Sequence, residues 1–248
     1  MMTSTSTSTS SLSRAAPMSL TDTLPCGMTT FRDRHRGGSI VVSGCGQSAA
    51  LREALGHLTV IGVNDVGRLF DPTYLVVVNP PRQFRGDRFT HVRQSRAQAL
   101  FTQLDLGPVE PPVVRFPLGR YGGLPAEGDA ALHYTQNSPY VAVCLAAHMG
   151  ARRIGLIGVD FTDHHFFAAT GRHPLAGRLA AIDREYGALA QALAARGIEL
   201  VNLSPVSRLQ SLPRMPLERF VPATPVVSLP AAATRRRRVF VVDYRFQT

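Results

Sequence analysis

Short, almost continuous runs of apolar residues recur through the middle of the chain, separated by stretches with helical periodicity. Such runs, rich in Val and Ile, are typical of parallel strands that are buried on both faces. We predict strands over 39–42, 59–63, 74–78, 112–116, 153–159 and 198–203. The intervening periodicity predicts helices over 48–55, 90–104, 138–149 and 175–195, the last with Gly197 as its C-cap.

Strands that alternate with helices in this way indicate the fold class. They predict an α/β protein, a three-layer sandwich on a mostly parallel Rossmann-like sheet. We predict that the stretch between the strand that ends near Asp160 and the last long helix forms a lid segment. All apolar runs are far shorter than the ~20 residues that a membrane-spanning helix needs. We therefore expect no transmembrane helix.

Composition divides the chain into three regions. Residues 1–37 begin with a Ser/Thr run and predict a disordered low-complexity tail, 38–220 form the α/β catalytic domain, and 221–248 are a Pro/Ala-rich and Arg-rich extension. The run Arg235–Arg238 has three interpretations: a solvated linker, an anchor to anionic lipid, or a nucleic-acid contact.

The net charge of +10 is not evidence for a nucleic-acid-binding domain. Between residues 38 and 220 there are 18 Arg against 14 acidic residues, so most of the excess lies in the terminal regions. We therefore predict no nucleic-acid partner. The 3 cysteines are widely spaced and form no C-x-x-C motif, which excludes a zinc signature and a disulfide framework and favours a reducing cytoplasm.

Small and polar residues follow the predicted strands. Ligands bind beyond the carboxyl ends of parallel strands, so these residues are candidate binding residues. The first strand leads into the glycine loop Gly44-Cys45-Gly46-Gln47-Ser48-Ala49, a loose G-x-G-x-x-A match in which Ser48 is expected to cap a helix. This loop is either a tight turn or a backbone cradle for a nucleotide. Three further strand ends carry amides or a carboxylate, Asn64, Asn79 and Asp160.

Two other segments are candidates for the site. Asn137, Ser138 and Pro139 form a helix start, with Ser138 as the expected N-cap and Pro139 at the first helical position. The lid segment contains His164, His165 and His173, and a loop histidine before a helix is suited to general base catalysis. Asp160, Asp163, His164 and His165 lack the spacing of a metal site, so we predict no metal ligands.

The order of these motifs resembles bacterial lipooligosaccharide sialyltransferases over residues 38–212, and more loosely a group related to a pterin diphosphokinase and to motility-associated glycosyltransferases. The likeness rests on the glycine loop, on Val63-Asn64, Val78-Asn79-Pro80, Asn137-Ser138, the run from Ala146 to Phe161, a following histidine and Leu203-Ser204-Pro205.

The resemblance implies an inverting, metal-independent transfer of sialic acid or a similar sugar from a CMP-linked donor to a glycan hydroxyl. Asn64, Asn79 and Ser138 would then contact CMP and the donor sugar, and Asp160 would organise the site. His173 would be the base that deprotonates the acceptor. No cofactor is implied beyond the nucleotide-sugar cosubstrate, and the acceptor would be a glycan or lipid-linked glycan.

This chain departs from the family at several positions. Cys45 replaces an Asn between the glycines, and Pro139 replaces a Gly at the helix start. Two lid tyrosines have no counterpart, because Thr162 and His165 or Phe166 occupy that stretch. Arg172, Arg120 or His165 would therefore have to stabilise the leaving phosphate. We expect Thr162, His165 and Arg172 among the donor-binding residues.

The sequence is also compatible with three other functions. A pyrophosphokinase or related phosphoryl-transfer enzyme would use Asp160 and Asp163 for Mg²⁺. A dehydrogenase would bind NAD through the glycine loop, with Asp65 on the ribose. A noncatalytic binding module is the third. We predict a cytoplasmic location, with peripheral contact at the inner membrane through the arginine run, and association into homo-oligomers.

Overall fold

The computed structural model describes residues 27–221, which form a parallel sheet covered by helices on both faces. The sheet has seven strands in the order β5-β4-β3-β2-β1-β8-β9. Their bounds are β1 Ser39–Ser43, β2 Thr59–Val63, β3 Tyr74–Val76, β4 Ala99–Thr102, β5 Val113–Arg115, β8 Arg153–Ile157 and β9 Glu199–Asn202. All six pairings are parallel. The predicted α/β sandwich is confirmed.

Helices cover the two faces of the sheet. One face carries α3 Ser138–His148 and α4 Leu179–Ala194, together with the short helix α1 Met28–Phe31. The other face carries α2 Arg88–Arg93, α5 Leu217–Phe220 and 3₁₀ turns over Gln47–Leu55 and Val66–Arg68. Further 3₁₀ turns cover Pro81–Gln83 and Ala176–Arg178. The helix α3 packs on β1, β2 and β3 and is buried along almost its whole length.

The chain order of the strands creates a switch point between β1 and β8. From β1 the chain moves outward to β5, then returns across the sheet and adds β8 and β9 on the other side of β1. The segments that follow β1 and β8 lead to helical elements on opposite faces of the sheet, and such a switch point places a crevice at the carboxyl edge of the sheet.

Several sequence predictions were wrong in detail. The predicted helix over 90–104 ends at Arg93, and Ala99–Thr102 is the buried strand β4. A strand buried on both faces has no alternation of polar and apolar residues. Its short apolar run was therefore assigned to the preceding helix. The sequence analysis also missed a separate parallel pair, β6 Leu118–Tyr121 and β7 Leu132–Tyr134.

The predicted helix caps also differ from the structure. The N-cap of α3 is Asn137, so Ser138 and Pro139 are the first two helical residues. The C-cap of α4 is Ala195 and not the predicted Gly197, which lies two residues later and has a φ of 70°. Ser48 does not cap the turn after β1, because the N-cap there is Gly46.

The packed region begins earlier than the predicted boundary at residue 38. Met28 and Phe31 are buried in the main core, where Phe31 contacts the rings of Tyr74 and Phe101. The rest of the predicted tail, residues 1–26, and the extension with Arg235–Arg238 lie outside the described residues. Within residues 27–221 no helix has the length and apolarity to cross a membrane.

Candidate functional site

A cavity of about 340 Å³ lies at the switch point, at the carboxyl edge of the sheet. The loops after β1, β2, β3 and β8, the start of α3 and the lid segment surround it. Of the residues predicted to bind the donor or to act in sugar transfer, all except Ser48, Arg172 and Arg120 line this cavity. Arg172 is exposed on the lid, and Arg120 lies on β6, away from the lining.

The glycine loop after β1 runs so close to the loop after β8 that side chains would not fit. A Cβ atom on Gly44 would lie 2.3 Å from the carbonyl oxygen of Gly158, and one on Gly46 would lie 2.5 Å from Oδ2 of Asp160. The amide of Gly46 donates to the Gly158 carbonyl at 2.7 Å. Both glycines are thus required by backbone approach.

Asp160 holds this loop in place. Its Oδ2 accepts a hydrogen bond from the Ser48 amide at 2.7 Å, and its Oδ1 accepts one from the Ser48 hydroxyl at 2.6 Å. The same hydroxyl accepts a hydrogen bond from the Gly158 amide at 2.7 Å. Asp160 is 1% exposed, so its carboxylate is occupied by the protein itself. Asp160 therefore joins the glycine loop to the loop after β8, and Ser48 lies outside the cavity lining.

Three neutral polar side chains form a cluster at the strand ends, which we call the amide cluster: Asn64, Asn79 and Ser138. Nδ2 of Asn79 donates to Oδ1 of Asn64 at 3.3 Å and to Oγ of Ser138 at 3.5 Å. The Ser138 hydroxyl donates to Oδ1 of Asn64 at 3.4 Å. Asn64 has a φ of 53°, in the left-handed region that Asn tolerates better than most residues.

The amide cluster leaves hydrogen-bonding capacity for a ligand. Within residues 27–221, Nδ2 of Asn64 and Oδ1 of Asn79 form no hydrogen bond. Oγ1 of Thr162, on the lid side of the same cavity, is buried and has no partner in the described chain. Nδ2 of Asn64 and Oδ1 of Asn79 are therefore free to bind a polar ligand in the cavity, and the buried Oγ1 of Thr162 lacks the partner that a buried hydroxyl nearly always has.

An ion pair that the sequence analysis missed lies at the floor of the cavity. Arg88 of α2 lines the cavity and donates to both oxygens of the buried Asp65, at 2.6 and 2.8 Å. The Sγ of Cys45 lies 3.7 Å from Oδ1 of Asp65, and burial together with that carboxylate raises the pKa of the Cys45 thiol. Asp65 was recognised as a strand-end acid, but no local pattern connects it to an arginine 23 residues later.

The lid segment is attached to the glycine loop. His165 pairs with Gly46 in an antiparallel bridge, and the Phe166 amide donates to the Cys45 carbonyl at 3.1 Å. The ring of Phe167 packs against the guanidinium groups of Arg68 and Arg88, 4.8 and 5.5 Å from its centroid. The predicted lid therefore closes one side of the cavity.

All three predicted histidines line the cavity. Burial lowers the pKa of the His173 imidazole, the nearby His165 lowers it further, and Asp163 opposes this. Burial and then Arg88 lower the pKa of His165, against the effect of Asp65. Both rings are therefore neutral at pH 7.

Hydrogen bonds fix the tautomer of two of these rings. Nδ1 of His173 accepts from the Leu175 amide at 3.1 Å, and Nδ1 of His164 accepts from the Gly171 amide at 3.3 Å. Neutral rings bound in this way carry their proton on Nε2. In this arrangement His173 does not have the free Nε2 lone pair that the predicted base needs.

Carboxylates that could hold a metal ion are scarce here. The described part of the chain has no group of three or more His, Cys, Asp or Glu side chains arranged for a metal ion. Asp160 is bound by Ser48, Asp65 by Arg88, and Asp163 does not line the cavity.

No family model and no curated protein matches the sequence. Among solved structures, the chain is similar to one described as the structure of the MAf glycosyltransferase from Magnetospirillum magneticum AMB-1, with 11% identity and a TM-score of 0.47. The match covers 77% of this chain and 37% of that one, so this chain spans little more than a third of that protein's length.

Proposed function

We propose that the chain is a glycosyltransferase that takes a sugar, sialic acid or a similar one, from a CMP-linked donor and passes it to a glycan hydroxyl with inversion and without a metal ion. The observation that carries this proposal is the amide cluster in a cavity at the switch point of the sheet. Its free amide atoms match the uncharged donors and acceptors of a nucleoside and a sugar.

The start of α3 supports a phosphate in the same cavity. Ser138 and Pro139 open this eleven-residue helix and line the cavity, and no side chain caps its first turn. Amides at a helix N-terminus attract an anion. Pro139 has no N–H and the Tyr140 amide donates to the Asn137 carbonyl at 3.0 Å, so the Ser138 amide is the first-turn donor left for this role.

The carboxylates argue against the two other enzyme classes. A phosphoryl-transfer enzyme would use Asp160 and Asp163 for Mg²⁺, yet Asp160 is bound by Ser48 and Asp163 does not line the cavity. A dehydrogenase would use Asp65 as the ribose acceptor, but both of its oxygens are bound by Arg88. Either function would therefore require existing hydrogen bonds to break.

A thermal-shift panel with CMP, CDP, UDP, GDP, ATP and NAD tests the nucleotide class. We expect the largest shift with CMP, since ligand at 100 times its Kd stabilises by about 2.7 kcal/mol. A shift with NAD or ATP and none with CMP would reject the proposal. EDTA should leave both the CMP shift and CMP release from CMP-sialic acid unchanged. Loss of CMP release on chelation, restored by Mg²⁺ or Mn²⁺, would reject the metal-independent mechanism.

A further inference from the structure

The hydrogen bond between Leu175 and His173 determines what His173 can do chemically. The Leu175 amide lies 3.1 Å from Nδ1 of His173. A backbone N–H can only donate, so Nδ1 must be the unprotonated acceptor. The neutral ring then carries its single proton on Nε2, and His173 is one of the residues that line the cavity.

A ring in this state cannot deprotonate an acceptor hydroxyl. Proton abstraction needs a free lone pair, and the Nε2 position has an N–H instead. Protonation at Nδ1 would break the Leu175 hydrogen bond and bring two donors together. Nε2–H of His173 can, however, donate a hydrogen bond to an oxygen that gains negative charge.

The arginines do not fill that role. Arg88 is the arginine among the described lining residues, and its guanidinium is held by both oxygens of Asp65. Arg172 and Arg120, which the sequence analysis suggested for the leaving phosphate, do not line the cavity. Negative charge that develops here must therefore be stabilised largely by neutral donors.

We propose that His173 is a catalytic residue that binds the leaving phosphate as a neutral hydrogen-bond donor through Nε2. This inference rests on the proposed function. In the step, the bond between the anomeric carbon and the phosphate oxygen breaks, and both electrons go to that oxygen. A new bond forms between the carbon and the acceptor oxygen, whose proton passes to solvent water. The imidazole keeps its proton throughout.

The surroundings of His173 keep it neutral. The ring stacks on His165, with centroids 6.3 Å apart, and meets the edge of Phe161 at 5.3 Å. Asp163 lies on the same segment, and Arg88 and Asp65 face His165 from the cavity floor. Burial and then the nearby His165 lower the pKa of His173, and Asp163 opposes this. A proton on Nδ1 would also break the hydrogen bond from the Leu175 amide.

The tautomer is tested first, without any ligand. Long-range ¹H–¹⁵N spectra of the labelled protein distinguish the two ring nitrogens, and His173→Gln assigns the signals. We expect Nε2–H and an unprotonated Nδ1 from pH 8 to below pH 6.5. A ring protonated on Nδ1 at neutral pH would overturn the inference, even if CMP still binds.

A pair of variants then separates donor from base in CMP release from CMP-sialic acid. The amide nitrogen of Gln can occupy the position of Nε2, whereas Asn reproduces only the acceptor at Nδ1. We expect His173→Asn to lose about 10²–10³-fold in kcat and His173→Gln to retain at least a tenth of the wild-type value. If His173 were a base, both variants would lose kcat to the same extent, and that result would overturn the inference.

The pH profile and CMP binding complete the test. A donor keeps its Nε2–H when the ring gains a second proton, so kcat does not fall as His173 is protonated, whereas a base loses kcat as its ring is protonated. If the wild-type protein binds CMP and turns over but shows the base pattern, only the role of His173 fails. If it neither binds CMP nor releases it from CMP-sialic acid, the proposed function fails, and this role with it.

Discussion

Both carboxylate oxygens of Asp65 are bound by the guanidinium of Arg88, with Nη2 2.6 Å from Oδ1 and Nε 2.8 Å from Oδ2. The carboxylate follows β2 and the guanidinium belongs to α2, so the pair joins the sheet to the helix beneath the cavity. The side chain of Asp65 is fully buried and that of Arg88 is 24% exposed.

Removal of Arg88 should therefore destabilise the protein strongly. In Arg88→Met the buried carboxylate of Asp65 loses its partner, and breaking a buried pair from one side costs about 3–5 kcal/mol. Urea unfolding measures this loss. Glu199→Gln is the control, because Glu199 forms an exposed pair with Arg153, and its loss should cost less than about 1 kcal/mol. Equal effects of the two variants would contradict the prediction.

A methyl group on Gly46 should disturb the cavity wall. The new Cβ atom in Gly46→Ala would lie 2.5 Å from Oδ2 of Asp160 and 2.8 Å from the Gly158 carbonyl oxygen. We expect a loss of about 1–3 kcal/mol in unfolding free energy, as in other overpacked sites, and at least a tenfold weaker binding of CMP. Calorimetric unfolding and CMP titration measure the two effects.

Gly177→Ala is the matched control for this variant. A Cβ atom on Gly177 would meet no heavy atom within 4 Å, and Gly177 has no positive φ. Its unfolding free energy and CMP affinity should stay close to those of the wild-type protein. A similar loss in both variants would mean that glycine flexibility, rather than the close approach of the two loops, matters at residue 46.

The sequence predicted the sheet and the strand-end residues because these depend on local pattern. Continuous apolar runs identified six of the seven strands of the main sheet. Since parallel strands end at a common edge, Asn64, Asn79 and Asp160 could be assigned to one site before their contacts were known. The strand Ala99–Thr102 was missed, since four buried residues beside a short helix carry no periodic signal of their own.

The contacts within the site could not be predicted, because they join residues far apart in sequence. The hydrogen bonds between Ser48 and Asp160 span 112 positions. The Leu175 amide that fixes the tautomer of His173 is a backbone group, whose direction depends on how the lid is folded. The position before a helix and the family resemblance suggested a base at His173, whereas the proposed donor role depends on this hydrogen bond.

Asn79 should contribute to ligand affinity more than to stability. Asn79→Ala removes two weak hydrogen bonds, at 3.3 and 3.5 Å, from a partly exposed cluster. We expect the unfolding free energy to fall by less than about 1.5 kcal/mol and the Kd for CMP to rise about tenfold, which corresponds to one hydrogen bond of about 1.4 kcal/mol. Isothermal titration and urea unfolding measure the two quantities.

The variant Asn79→Asp tests the effect of a negative charge at this position, because the side chain keeps almost the same shape. The carboxylate cannot donate to Asn64 or Ser138, and its charge repels an anionic nucleotide. Binding of CMP should therefore be weaker in the Asp variant than in the Ala variant, whereas binding of uncharged cytidine should differ less between them. The same affinity for CMP in both would mean that the nucleotide phosphate lies away from the amide cluster.

Stability should decrease as the pH falls through the titration range of histidine. Burial lowers the pKa values of His35, His165 and His173 in the folded protein. The unfolded chain, with a pKa near the ordinary 6.5, then binds more protons than the folded state between the two pKa values. The contribution of these histidines to the unfolding free energy is therefore fully present above pH 6.5 and is lost as the pH falls below it.

The urea midpoint measured from pH 8 to pH 5 checks this sign. We expect a plateau above about pH 7 and a decline below pH 6.5. The double variant His165→Gln, His173→Gln should make the decline shallower, since it removes two of the three groups and leaves His35 beside Tyr74. If stability instead rises toward pH 5, the histidines gain a partner on protonation. The lid would then be held by charged rings, and His173 could not be the neutral donor that the Leu175 amide requires.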